Sequence, residues 1–224
     1  MRQWKGVLLV AAIALATAGP AHAARFGSSL KRPADAGFGC ESVPTFDVFT
    51  GAPTLAPSGH TTCTVRSSGR IGSLKNWSSA PADGRIVRIS VRSGSNPAPL
   101  RLSVAEASTR ENPDGAGGDF LCCTVRYLGP TFRPRANAVT SQRVKVRVSR
   151  DKVGKATYYD VVGLAAVGPG TLPLHDERTA GQFRQGSGLV NFDWPHVRRG
   201  ETRVGSHGAD GLELLFRWEF ERAR

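Results

Sequence analysis

Residues 85–104 constrain the fold of this chain more than any other stretch, because they alternate apolar and polar side chains in two successive runs. Val87, Ile89 and Val91 alternate with Arg88, Ser90 and Arg92, and Leu100, Leu102 and Val104 alternate with Arg101, Ser103 and Ala105. Successive side chains on a strand point to opposite faces, so each run has one apolar and one polar side. Between them, Gly94-Ser95-Asn96-Pro97-Ala98-Pro99 cannot continue a strand, since its prolines lack a ladder donor and its glycine favours a turn. The pattern predicts an antiparallel hairpin with one apolar and one arginine-rich face.

The same period recurs along the chain. Val144, Val146 and Val148 alternate with Arg143, Lys145 and Arg147, and Leu121, Cys123, Val125 and Tyr127 share one side of a run over residues 120–127. A short strand is predicted over residues 61–66. Residues 158–167 are continuously apolar apart from Asp160, which implies a central strand buried on both sides. Near the end, Leu214, Phe216, Trp218 and Phe220 alternate with Leu215, Arg217, Glu219 and Glu221, an aromatic face that needs a covering layer. Eight or nine strands, frequent turn signals and no amphipathic helix predict an all-β fold: a two-layer antiparallel β-sandwich of jelly-roll type, stapled by disulfides.

Three regions divide the chain. Arg2 and Lys5 precede the apolar residues 7–15, and Ala21-His22-Ala23 offers small residues for signal peptidase, so residues 1–23 are expected to be a cleaved secretory signal. The apolar run is shorter than the roughly 20 residues a bilayer span needs. A flexible segment over residues 24–39 and a single domain over residues 40–224 follow. In an exported chain, Cys40, Cys63, Cys122 and Cys123 are expected to form two disulfides. Neighbouring strand residues face opposite ways, which favours Cys122 and Cys123 each pairing with one of Cys40 and Cys63; the rival is a Cys40–Cys63 bridge with a vicinal bond.

Several punctuating motifs, Pro81-Ala82-Asp83-Gly84-Arg85-Ile86-Val87 leading into Pro97-Ala98-Pro99-Leu100-Arg101-Leu102, the Cys122-Cys123 pair, Gly170-Thr171-Leu172-Pro173-Leu174 and Leu214-Leu215-Phe216-Arg217-Trp218, resemble those of a group of exported, uncharacterised β-sandwich proteins of high-GC Gram-positive bacteria. The resemblance covers roughly residue 40 onward. It implies the fold and export, and brings no catalytic residues with it.

For function, the formal net charge of +12 directs attention to anionic partners. If the basic strands share one sheet, Arg88, Arg92, Arg101, Arg143, Lys145 and Arg147 form an outer face able to grip phosphates or carboxylates of an anionic wall polymer or polysaccharide. No aromatic is interleaved with them, so no single-stranded nucleic-acid signal appears. The opposing explanation is a solvated face decorated by arginine-rich coding. An alternative carbohydrate site would stack glycan on Trp77, Trp194 or Tyr158.

Catalytic patterns are thin. Ser149-Arg150-Asp151-Lys152 matches Ser-x-x-Lys without its companion motifs. His175-Asp176 beside serines does not define a triad, and Glu106, Asp119, Asp160, Asp193 and Glu219 offer carboxylates without a pattern selecting a glycosidase pair. A secreted hydrolase, esterase or glycosidase, with its site in the loops of residues 175–210 is the second reading. The glycine- and carboxylate-rich residues 112–119 do not match a calcium loop, so no metal or cofactor is expected. The sequence thus predicts a secreted or cell-surface, non-catalytic binding or structural module, monomeric and without a membrane span once its signal is cleaved.

Overall fold

The computed structural model describes residues 23–46, 53–68, 79–110, 119–153, 156–177, 189–202 and 207–223. The expected signal peptide, apart from Ala23, lies outside the described residues, as do Trp77 and most of the glycine-rich residues 112–119.

Among the described residues the chain is all-β, with no helix. Its strands are β1 (Ala24–Gly27), β2 (Ser42–Phe46), β3 (Pro53–Pro57), β4 (Cys63–Ser68), β5 (Gly84–Arg92), β6 (Leu100–Arg110), β7 (Asp119–Leu128) and β8 (Val139–Val148). They continue as β9 (Arg150–Val153), β10 (Ala156–Ala166), β11 (Leu174–Asp176), β12 (Leu189–Asp193), β13 (His207–Asp210), β14 (Leu212–Leu214) and β15 (Phe216–Arg222). A four-stranded sheet runs in the order β1-β15-β5-β8, and a seven-stranded sheet in the order β13-β12-β4-β10-β6-β7, with β9 on β10. Two small sheets, β2-β3 and β11-β14, complete the set, and every pairing of strands is antiparallel.

The expected hairpin over residues 85–104 does not form. β5 pairs with β15 and β8, whereas β6 pairs with β10 and β7, so the connection passes from one sheet to the other. Its backbone groups find partners elsewhere: Ala98 N donates to Thr171 O at 3.1 Å, Thr171 N to Asn96 O at 2.7 Å, and Asn137 N to Gly94 O at 2.9 Å. The physical reason is that two apolar faces side by side would still need a cover, whereas placed in opposite sheets they cover each other. Ile86, Ile89 and Val91 of β5 thus join Leu100, Leu102 and Val104 of β6 in one buried cluster. Each such side chain contributes on the order of 1.5–3 kcal/mol by leaving water.

The alternation itself is largely as expected. Val146 and Val148 are buried and Val144 half-buried, with Arg143, Lys145 and Arg147 exposed. Phe216, Trp218 and Phe220 are buried on β15, and residues 159–166 of the central strand β10 are buried throughout. One phase shift intervenes on β5, where the ladder is irregular between Ile86 and Arg88. This irregularity buries Ile86 and leaves Val87 half-buried, so Arg85 and Arg88 both face solvent. Strands β12 and β13 form within residues 175–210, a region expected to be loop-rich.

The segment expected to be flexible, residues 24–39, carries β1, which pairs with β15 in register Ala24↔Phe220 to Gly27↔Arg217. Phe26 stacks on Trp218 with ring centroids 4.7 Å apart. Cys40 is bonded to Cys63 across a sequence separation of 23, which overturns the pairing of these two with Cys122 and Cys123. The bond ties the segment before β2 to the start of β4, and both sulfurs lie in the main core. Cys123 is also disulfide-bonded, while the side chain of Cys122 lies outside the described residues.

Candidate functional site

The basic face is built by β5 and β8, whose register sets Arg85 opposite Arg147 and Arg88 opposite Arg143. Like charges directly across an antiparallel ladder repel, so this arrangement costs stability in the isolated protein. Arg85, Arg143, Lys145 and Arg147 are all exposed. Arg88 is partly compensated, with its Nε 3.4 Å from Glu219 Oε2; the other Glu219 oxygen lies 3.4 Å from Arg25 Nε. Arg92 is half-buried and donates from Nε to Leu30 O at 2.7 Å, so it tethers the N-terminal segment. Arg101 is placed apart from the rest, on β6 of the other sheet, donating from Nε to Thr131 Oγ1 at 2.8 Å. Of the six cations singled out by sequence, Arg88, Arg92, Arg143, Lys145 and Arg147 share one sheet.

A cleft of about 860 Å³ adjoins this face, between β8 of the smaller sheet and β7 of the larger. Arg85, Lys145 and Arg147 line it from the smaller sheet, Arg126 from β7, and Arg222 from the end of β15. Carboxylates of Asp83, Asp160 and Glu221 are interspersed among them. Asp160, on the central strand β10, is 3% exposed. Its Oδ2 accepts from Ser149 N at 2.7 Å and from Ser149 Oγ at 3.3 Å. Arg126 Nη1 lies 2.9 Å from Glu106 Oε2 and 3.5 Å from Asp160 Oδ1. Loss of water raises the Asp160 pKa above the ordinary carboxylate value, against the opposing pull of the Ser149 backbone N–H and of Arg126.

Most of the other described residues picked from the sequence have structural partners. Trp194 donates from Nε1 to Cys40 O at 2.7 Å and stacks on Phe192 with centroids 5.2 Å apart. Tyr158 is exposed at 37%, on β10. His175, buried on β11, places Nδ1 3.0 Å from Asp35 Oδ1, not against its neighbour Asp176, whose N–H donates to the same Asp35 oxygen at 2.9 Å. Glu106, Asp193 and Glu219 each lie against an arginine. The Ser-x-x-Lys serine, Ser149, is bound to Asp160, and the side chains of Lys152 and Asp119 lie outside the described residues. Among the described residues no three His, Cys, Asp or Glu side chains gather into a metal-binding group.

Sequence reasoning gave no role to Arg85, Arg126 or Arg222, and left Asp160 in a pool of unselected carboxylates. A signal was present for Asp160: it is the single charged residue in an otherwise continuous apolar strand, where an ionised group is expensive unless the fold uses it. Arg126 carried no such mark, because a charged residue on a half-exposed strand is ordinary. Comparison with family models, with curated proteins and with solved structures finds no match to this chain.

Proposed function

We propose that the chain is an exported module of the cell surface that binds rather than transforms its ligand, an anionic wall polymer or polysaccharide held on the β5–β8 face and in the adjoining cleft. The observation that carries this reading is the cross-strand pairing of Arg85 with Arg147 and of Arg88 with Arg143. A polyanion laid across these pairs turns mutual repulsion into shared attraction, and guanidinium forks match carboxylate and phosphate geometry. Membership of the exported β-sandwich group that the sequence motifs resemble, cleavage of a signal ahead of residue 24, and secretion as a monomer belong to the same proposal.

A jelly-roll architecture is part of it as well. Strand order supports this: β1-β15-β5-β8 in one sheet and β4-β10-β6-β7 in the other make the chain alternate between layers in the manner of two Greek keys, with β12 and β13 added beyond β4. Jelly rolls often serve as recognition domains, which is a likeness of fold and not of activity.

Retention of the purified mature protein on cell-wall fractions over a salt series tests the binding role. Binding that weakens steeply with salt is expected, with Arg85→Ala/Arg147→Ala and Arg143→Ala eluting at lower salt and Arg101→Ala, on the other sheet, eluting with the wild type. Salt-insensitive retention, or turnover of an ester or glycoside panel, would overturn the reading.

A further inference from the structure

The cleft is mixed in charge, and that bears on which anion suits it. Asp160 Oδ1 is buried and receives no hydrogen bond, although Oδ2 of the same carboxyl is held by Ser149. The cation beside it, Arg126 Nη1, stands 3.5 Å away and is engaged at 2.9 Å by Glu106. Buried carboxyl oxygens are nearly always paired, so this oxygen fits a donor supplied from the cleft that Asp160 helps to line.

A chain of phosphates carries acceptors alone. It would satisfy the cations while setting its own charge against Asp160, Asp83 and Glu221. A sugar bearing a carboxylate or phosphate beside free hydroxyls supplies both halves of the match: an anion for the arginines and an O–H for the carboxylate, each a charge-assisted hydrogen bond. The cleft volume of about 860 Å³ is that of a small-molecule site.

We infer that the cleft binds an acidic sugar unit, its anionic group against Lys145 and Arg147 and one of its hydroxyls donating to Asp160 Oδ1. This rests on the polyanion reading above and narrows it from any polyanion to a hydroxylated one. The hydroxyl reaches Oδ1 by displacing the Arg126 guanidinium, whose side chain is already 50% exposed.

Calorimetric titration of the wild-type protein with an oligouronate and with a linear polyphosphate of equal charge tests it. The oligouronate is expected to bind about tenfold tighter, the worth of one hydrogen bond to a charged group. In Asp160→Asn the side-chain oxygen stays with Ser149 N and an amide N–H replaces the acceptor, so the preference is lost while polyphosphate binding is kept or strengthened. Equal affinities in the wild type, a preference for polyphosphate, or a preference that survives Asp160→Asn would overturn the inference and leave the polyanion reading standing. Binding of neither ligand would overturn both. The wild-type comparison decides the matter even if the variant fails to fold.

Discussion

Two buried charges show how individual residues shape this protein's stability. Arg66 on β4 is 5% exposed, faces Asp193 of β12 through Nη1, and keeps Nε and Nη2 without a hydrogen-bond partner. Removing one member of a buried pair leaves the other charge uncompensated, so Asp193→Ala is expected to cost about 3–5 kcal/mol, read as a lower urea midpoint. Asp160 acts through pH. Its pKa is raised in the folded state above 3.8, so the native protein binds the proton first. Stability from this group is therefore full below 3.8 and is lost as pH rises through the folded value. Asp160→Asn lacks that loss, and its midpoint relative to wild type should climb as pH rises from 3.8 upward; parallel curves would refute this. His196 works in the opposite direction. Burial, then Arg101 and Arg198, lowers its pKa below 6.5, so its contribution is lost as pH falls, equally in both proteins. Neither Arg66 nor His196 was legible in the sequence, because burial of a polar side chain depends on which segment lies over it.

At the scale of strands, what could be read was the face each residue takes; what could not was its neighbour. Alternation in β8 and β15 and the apolar run of β10, broken only by Asp160 over residues 158–166, follow from side-chain chemistry alone, and the fold agrees with them. Pairing is decided by which surfaces are left to cover, and here two adjacent strands that look like a hairpin part into different sheets. The cationic face was affected accordingly: β5 and β8 did meet, while Arg101 followed β6 away. Gly163 of β10 lies close against β4. A Cβ there would sit 2.6 Å from Val65 O and 2.7 Å from Arg66 Cγ. Gly163→Ala should therefore push β4 from β10 and destabilise by about 1–3 kcal/mol, measured by thermal unfolding.

Over the whole molecule, the Cys40–Cys63 bridge acts on the unfolded chain as well as on the native one. It closes a loop of separation 23, for which chain entropy gives roughly 3 kcal/mol. Replacing both cysteines by serine, which leaves Cys123 untouched, should lower the melting temperature and leave the strand content unchanged by circular dichroism; an unchanged melting temperature would refute the assignment. The all-β class was legible because the apolar residues of β5, β6, β8 and β15 recur with period two and turn signals punctuate the chain. The cleft was not, since it is assembled from β5, β6, β7, β8, β10 and β15, which the chain order scatters over some 140 residues. Ala24 lies opposite Phe220 in the ladder, and Glu221, Arg222 and Ala223 run on to form part of the cleft wall, with Ala223 N donating to Asp83 O at 3.0 Å. The start of β1 and the end of β15 thus lie side by side, and the end of β15 borders the cleft. A purification tag or fusion partner appended after Arg224 would crowd the cleft, and a carboxylate-rich one would compete with the proposed anionic ligand for its cations.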